Sequence, residues 1–385
     1  MTARVTDDMT AASLLADTDR CRRVVIKIGS ALLVDAASGR LDRDWLAALA
    51  GDVARLRARG QQVLIVSSGA VALGRGGLGL ASPSARLEEA QAAAAIGQIR
   101  LAHAYEALLA EHTITVAQLL LTIADLENRA RYLNARNTVE TLMDHGVLPI
   151  INENDTVATS EIRFGDNDRL AARVAQLASA DLLLLLSDID GLYSADPRRD
   201  SAARFIDRVD DITADVEAMA GPPARDGHGS GGMITKLQAA RIATAAGCSL
   251  ALIDGRQPGP VDRYEKTGRG TLFPARDRAL AVRKQWIGSL MTAHGALRLD
   301  AGAEAALKRG ASLLPAGVTH VDGDFGRGDL VMLAGPDGQR IGQGLAGYKA
   351  DEARRIAGHK SHEIEAILGY SGRGAIIHRD DLVLF

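Results

Sequence analysis

Two clusters of amides and carboxylates, Asn152-Glu153-Asn154-Asp155 and Asp166-Asn167-Asp168, flank a short loop containing Phe164-Gly165. The first follows the apolar run Val147-Leu148-Pro149-Ile150-Ile151. That places it at the C-terminal end of a buried strand, where open α/β sheets bind ligands. Asn, Asp and Gly are also ordinary turn residues, so the surroundings must decide between a turn and a polar site. Lys27 lies in Val24-Val25-Ile26-Lys27-Ile28, ahead of Gly29-Ser30. Its flanks put its stem inside the sheet layer, an unusual place for a lysine without a task. A second lysine, Lys236, closes the segment Gly227-His228-Gly229-Ser230-Gly231-Gly232-Met233-Ile234-Thr235-Lys236, which runs into a helix. Backbone N–H groups at a helix N-terminus, unhindered by side chains, hold phosphates; the alternative is a flexible linker. Two lysines, a Gly-rich helix start and paired Asp/Asn clusters suit phosphoryl transfer, in which catalysis is mainly positioning plus positive charge.

Other motifs carry less. No GxxxxGK[ST] segment occurs, so a P-loop site has no support. Gly74-Arg75-Gly76-Gly77-Leu78-Gly79 matches GxGxxG literally, but it does not open a helix directly after a strand and Pro83 follows. A flexible loop at the edge of the site is the better reading. His228, within the Gly-rich segment, reads as a solvated loop histidine.

The elements that must position these groups follow from apolar spacing. Arg23–Ser30 reads as a strand entering a Gly turn. Asp42–Arg59 reads as a helix with Trp45, Leu46, Leu49, Val53 and Leu56 on one face, stopped by Gly60. Val63–Val66 is a strand ending in Ser67-Ser68-Gly69-Ala70. Residues 85–112 are Ala-rich and helical; Gly97 inside them costs about 1 kcal/mol relative to Ala and points to close packing of another helix or a subunit. Thr115–Leu121 is strand-like. Asp125 is placed to cap a helix running through Met143, with Gly146 after it. Leu170–Ala180 is a helix, and Asp181–Leu186 is a continuously apolar strand of the kind found at the centre of a parallel sheet. It ends in Ser187-Asp188. Lys236–Ala246 is a helix and Ser249–Ile253 a strand. Strand–helix alternation implies a parallel sheet with right-handed crossovers. Lys27, Ser68, Asp155 and Asp188 then lie along one edge of it.

The chain has 385 residues, 47% of them hydrophobic and 3% aromatic, so it can bury two or three domains with aliphatic, Ala-rich cores. The formal charge of −3 makes no general case for nucleic acid or an anionic membrane. Cys21 and Cys248 are too few for a disulfide framework or a zinc site, and a reducing, cytoplasmic compartment fits best. No apolar run approaches the ~20 residues of a membrane helix. Residues 1–20 carry four Asp and no apolar core of a signal peptide, and read as a disordered tail. Residues 256–275 read as a loop-rich end to the first domain. From about Gly295, short strands with Gly-Asp and Asp-Gly turns and one helix, Asp351–Ile356, suggest a small β-rich barrel.

Taken in order, Lys27-Ile28-Gly29-Ser30, Ser67-Ser68-Gly69-Ala70, Ile151–Asp155, Phe164–Asp168, Ser187-Asp188 with Gly191-Leu192-Tyr193, and Gly231-Gly232-Met233 with Thr235-Lys236 form a set that resembles the amino acid kinase family. Within it they resemble the branch that phosphorylates glutamate; relatives acting on aspartate, acetylglutamate or UMP use other residues at the two Asn/Asp clusters. The resemblance continues through Gly270–Phe273 and Arg283–Ile287, and into a C-terminal segment similar to a PUA domain that includes Arg354–Gly358. It implies a three-layer αβα sandwich with a mainly parallel central sheet at 21–277, a linker at 278–294 and a small β-barrel-like PUA domain at 295–385. It implies phosphorylation of the L-glutamate side-chain carboxylate with ATP and Mg²⁺, opening proline synthesis. Lys27 and Lys236 would stabilise the transferring phosphoryl group, and Asp168 would hold the two lysines. Ser68, Gly69, Asp155 and Asn167 would bind glutamate, with Asp155 on its ammonium. Lys27, Ser187, Asp188, Ser230, Gly231, Gly232, Met233, Ile234, Thr235 and Lys236 would bind ATP. No protein cage for the metal is expected, since phosphates and water usually hold Mg²⁺ in this chemistry. Ser187 and Ser230 stand where the family commonly has Thr, which keeps the hydroxyl. The resemblance also implies dimers or tetramers and inhibition by proline at or beside the glutamate site, with residues 70–85 as candidates. The rivals are another kinase of this family and an RNA-binding protein of the PUA type. Residues 296–385 hold eleven Lys/Arg against twelve Asp/Glu, unlike the basic footprint of RNA binders, so a structural or regulatory accessory is preferred for this domain.

Overall fold

The computed structural model describes residues 10–35, 38–80, 86–157, 166–221, 232–275, 293–370, 372 and 374–385. The chain divides into two compact units, one of residues up to 126 with 135–279, the other of 127–134 with 280–385.

The first unit is built on β1 (Arg23–Ile28), β2 (Gln62–Val66), β3 (Val116–Leu121), β4 (Leu148–Glu153), β5 (Leu182–Ser187), β8 (Ser249–Asp254) and β9 (Gly270–Phe273). They form one seven-stranded sheet in the order β3-β4-β2-β1-β5-β8-β9. Every pairing is parallel except β8 with β9. The chain passes from β1 to β2 on one side and later fills β5 and β8 on the other. The crevice beyond the C-terminal ends of β1 and β5 is therefore the switch point where such sheets bind ligands. Leu182–Leu186 of β5 are buried on both faces, as their unbroken apolar run requires.

Helices cover both faces: α1 (Ala11–Ala16), α2 (Ser30–Leu33), α3 (Arg43–Ala58), α4 (Ala70–Arg75), α5 (Leu87–Ala110), α6 (Ile123–Glu127), α7 (Arg129–Asp144), α8 (Asp166–Leu177), α9 (Ala214–Met219), α10 (Met233–Ala245) and α11 (Pro260–Thr267). A small hairpin, β6 (Leu192–Tyr193) with β7 (Phe205–Ile206), lies between β5 and α9. In α3 the Asp42 carboxylate accepts the Trp45 N–H at 3.0 Å, and Trp45, Leu46, Leu49, Val53 and Leu56 are buried. Asp52 is buried on the same helix. Its carboxylate accepts the N–H groups of Val261 and Asp262 at 2.9 and 3.2 Å, capping α11 from outside, where Pro260 has no N–H to satisfy.

Several expectations are corrected. Residues 11–20 are not a tail: α1 is capped by Thr10, Leu15 is fully buried, and the buried Gln61 amide donates to the carbonyls of Leu15 and Cys21. Residues 256–275 hold α11 and the edge strand β9. The helix expected from Asp125 starts earlier and breaks. Thr122 and Asp125 cap each other reciprocally at the head of α6, and the Asn128 side chain accepts the Arg131 N–H to begin α7. Gly74–Leu78 is the end of α4 and a 3₁₀ turn, not a loop, while residues 81–85 lie outside the described ones. Gly97 does mark a close helix contact, and the partner is α4 of the same chain. A Cβ at Gly97 would fall on the Ala70 carbonyl oxygen, and one at Gly74 on that of Ala93.

In the second unit, β10 (Gly295–Leu299), β11 (Val318–Gly323), β12 (Leu330–Ala334), β13 (Arg340–Leu345) and β14 (Leu382–Leu384) form a five-stranded sheet in the order β11-β10-β12-β13-β14. Its core includes Leu297, Val331, Leu333, Tyr348, Ile356 and Ile376. The Asp337-Gly338 turn joins β12 to β13, with Gly338 at φ +81°. More than one helix is present: Ala301–Lys308 and Ile364–Leu368 accompany Ala350–Ile356. Of the expected linker, residues 278–292 lie outside the described ones. Among the described residues, no helix is long and apolar enough to cross a membrane.

Candidate active site

Lys27, from β1, lies in register with Val66 of β2 and Leu185 of β5. Its neighbours force the aliphatic stem into the sheet layer and bring the ammonium out at the C-terminal edge. There it meets Asp168 in the first turn of α8. Lys27 Nζ is 2.6 Å from Asp168 Oδ1, and Lys236 Nζ, from the first turn of α10, is 3.2 Å from Asp168 Oδ2. The same Oδ2 accepts the Thr235 hydroxyl at 2.9 Å. One carboxylate thus bridges two lysines delivered by different elements. The residues are 8%, 1% and 9% exposed for Lys27, Asp168 and Lys236. Burial works against the charge on Asp168, but the two lysines outweigh it and hold its carboxyl at about 2. Burial pulls the Lys27 ammonium down from its ordinary value, and Asp168 opposes that. The Asp-Asn-Asp cluster is the head of α8 rather than part of the loop before it, which aims Asp168 at the lysines and Asn167 at β2.

Asn167 donates to the Ser68 hydroxyl at 2.8 Å, and its buried Oδ1 has no hydrogen-bond partner among the described residues. Ser68 lies two residues past β2, and Gly69, at φ +99°, begins α4. A side chain there would be strained and would press on Val34. Asp155 lies two residues past β4 and is half-buried; burial pushes its carboxyl up to about 6. Asn152 was not assigned a role by the sequence. Its side chain is buried, its Oδ1 accepts the Glu153 N–H, and its Nδ2 has no hydrogen-bond partner among the described residues. Its place within the first Asn/Asp cluster was the only signal.

On the other side of Lys27, Ser187 ends β5 and its hydroxyl donates to Asp188 at 3.2 Å. Arg198 binds the other Asp188 oxygen at 2.8 Å. Burial favours the neutral Asp188, but Arg198 and then Lys236 bring its carboxyl below the ordinary value. Arg198 was also missed, since nothing local to its Asp-Pro-Arg turn connects it with a strand end ten residues earlier. Gly232 caps α10, so Met233, Ile234, Thr235 and Lys236 form its first turn. Ser230 and Gly231, expected in the nucleotide site, lie outside the described residues, as do His228, Phe164 and Gly165. Among the described residues, no group of three or more His, Cys, Asp and Glu side chains is arranged to hold a metal ion.

Two lysines and their shared carboxylate thus stand together at the switch point of a mainly parallel sheet, inside a stretch that matches the Amino acid kinase family. The model of that family matches residues 22–254, and a PUA domain matches residues 295–368. The chain belongs to the amino acid kinase family, with a C-terminal PUA domain. It is 57% identical over 370 residues to a protein of Ruegeria sp. (strain TM1040) named glutamate 5-kinase, spanning 96% of this chain and 100% of that one. It is 58% identical over 363 residues to the glutamate 5-kinase of Paramagnetospirillum magneticum, spanning 94% and 98%. Among solved structures, a UMP kinase from Ureaplasma parvum superimposes with a TM-score of 0.47 at 18% identity, covering 66% of this chain and 99% of that one.

Proposed function

We propose that this chain transfers the γ-phosphoryl group of MgATP to the side-chain carboxylate of L-glutamate, giving L-glutamyl 5-phosphate, the first step of proline biosynthesis. The observation that carries this reading is Asp168 bridging Lys27 and Lys236 next to the Ser68–Asn167 pair. A glutamate γ-carboxylate oxygen attacks the γ-phosphorus in line. The bond to the β,γ-bridging oxygen breaks and its electron pair leaves with ADP; a Mg²⁺ held by the nucleotide's phosphates would supply further positive charge. The attacking carboxylate is already ionised at neutral pH, so no general base is needed. Charge develops on the transferring group, and the two ammoniums offset it in a water-poor site. Asp155 and the unpartnered Oδ1 of Asn167 suit the substrate ammonium, while Ser68 and the open backbone at Gly69 suit its carboxylate. Ser187, Asp188 and the first turn of α10 take the nucleotide, with Ser230 and Gly231 leading into that turn.

The test is ADP release measured with glutamate, aspartate, acetylglutamate and UMP in turn. Turnover is expected with glutamate; turnover of another acceptor and none of glutamate overturns the reading. Lys27→Ala and Lys236→Ala are each expected to lower kcat by about 10²–10³, read at saturating substrates.

Asp155 makes the glutamate KM depend on pH. It must be ionised to hold an ammonium, and its carboxyl stands at about 6 in the free protein. Glutamate binding therefore strengthens as pH rises through 6 and weakens about tenfold per unit below it. Steady-state KM from pH 5 to 8 is expected to show that bend. Asp155→Asn is expected to raise KM and remove the bend, and an unchanged KM would remove Asp155 from the substrate site. Proline, which shares the ammonium and α-carboxylate of glutamate, is proposed to compete for the same grip. The chain is proposed to act as a dimer or tetramer, with Ile99, 74% exposed on α5, offering apolar surface for a subunit contact. The two buried free thiols fit a cytoplasmic setting.

A further inference from the structure

We infer that Tyr105 is a positioning residue for the glutamate end of the site, acting through Ser67 on the turn that carries Ser68 and Gly69. This rests on the functional reading above. Tyr105 comes from the C-terminal part of α5, far in sequence from the turn, and its ring is almost wholly buried. Its hydroxyl is 2.9 Å from Ser67 Oγ. Ser67 Oγ in turn donates to the carbonyl of Ser68 at 3.3 Å. A serine hydroxyl has one hydrogen. With that hydrogen committed to the Ser68 carbonyl, Tyr105 must be the donor to Ser67. The relay therefore has one direction, from Tyr105 O–H to Ser67 Oγ–H to the Ser68 carbonyl oxygen.

That relay sets the plane of the Ser68–Gly69 peptide. The peptide is planar and trans, so fixing the carbonyl toward Ser67 turns the Gly69 N–H the opposite way. Ser68 itself carries that carbonyl, and its hydroxyl meets Asn167 at 2.8 Å. Ser67 borders open space on this side. A cleft of about 290 Å³, mouth included, lies here, lined by Ser67, Gln98, Tyr105, Gln118 and Asn152 among others. Ser67 N–H is anchored to the Ile151 carbonyl at 2.9 Å, which fixes the start of the turn and leaves the next peptide to the hydroxyl pair. Burial pushes the Tyr105 phenol well above its ordinary value, so it keeps its proton at every working pH.

The experiment uses the full chain and the ADP-release assay. Tyr105→Phe keeps the ring and removes the relay's donor. The glutamate KM is expected to rise about five-fold, equivalent to about 1 kcal/mol, with kcat and the ATP KM within two-fold of wild type. Ser67→Ala is expected to give the same split, Ser67→Thr to restore the wild-type KM, and the Tyr105→Phe/Ser67→Ala pair to add little to either change alone. An unchanged glutamate KM in Tyr105→Phe, or equal changes in both KM values together with a lowered Tm, overturns the role. Should Tyr105→Phe fail to fold, the Ser67→Ala and Ser67→Thr comparison decides, and a wild-type glutamate KM in Ser67→Ala overturns it. A wild-type chain that releases no ADP with glutamate instead removes the functional reading, and this role with it.

Discussion

Asp168→Asn is expected to lower kcat by about 10³, the loss associated with misplacing preorganised charge contacts, while leaving the glutamate KM within about three-fold, because Ser68, Asn167 and Asp155 are untouched. The substitution keeps the shape and a possible contact with the Thr235 hydroxyl. It removes the negative charge that holds Lys27 Nζ at 2.6 Å and Lys236 Nζ at 3.2 Å. Two buried ammoniums then face each other without compensation. Burial already draws the Lys27 ammonium downward, with Asp168 as the opposing influence. Without Asp168 the lysine loses its proton more readily, so the variant's residual kcat is expected to rise as pH falls from 8 to 6. A kcat within tenfold of wild type at pH 7.5 would show that Asp168 does not organise the lysines. Stability changes with it: leaving one side of a buried ion pair alone costs about 3–5 kcal/mol. In the wild-type chain the Asp168 carboxyl is depressed to about 2, below its unfolded value. This contribution is full above the unfolded value and is lost as pH falls through 2, so urea midpoints of the two proteins are expected to converge in strong acid.

Gly97→Ala is expected to destabilise the chain by about 3 kcal/mol, the upper part of the range for overpacking. Without tertiary contacts, the same change inside a helix stabilises by about 1 kcal/mol. The sign reverses because the added Cβ falls on the Ala70 carbonyl, a backbone atom with no rotamer to escape into. Gly51, inside α3, provides the control: a Cβ there meets nothing within 4 Å, so Gly51→Ala is expected to stabilise by about 0.5–1 kcal/mol. Urea unfolding of the two variants checks both signs, and a Gly97→Ala chain as stable as wild type would mean that α4 and α5 are not held at this distance. The site is affected as well. Ala70 heads α4 immediately after Gly69, so pushing α4 from α5 moves Ser68 relative to Asn167, and a raised glutamate KM is expected alongside the lost stability.

Much of this architecture is legible in local pattern. Strand β5 announces itself by five consecutive leucines and α3 by its spaced apolar face. Those signals are local because hydrophobic periodicity involves residues within a turn or two of each other. The places where expectation and structure part have a shared cause. Residues 11–20 look polar and dispensable, yet Leu15 is drawn into the core and Gln61, forty residues on, satisfies the carbonyls of that segment. The 74–79 glycines resemble a nucleotide loop, yet Gly74 is there because a helix backbone from residue 93 approaches it. Both depend on a partner distant in sequence.

The same division holds at the active centre. Residue types and spacing alone placed two lysines and two Asn/Asp clusters at strand ends and helix starts, a set suited to moving a phosphoryl group, while the carboxylate acceptor came only with the family resemblance. Only the tertiary structure decided that Asp168 takes both lysines at once while its neighbour Asn167 turns to Ser68. Successive residues at the head of a helix point about 100° apart, and which direction meets which strand depends on how α8 docks on the sheet. Packing among distant elements also selected Thr235, Arg198 and Tyr105 as partners, because a hydrogen bond at 2.8–3.2 Å is fixed by three-dimensional approach and leaves no periodic trace in the chain.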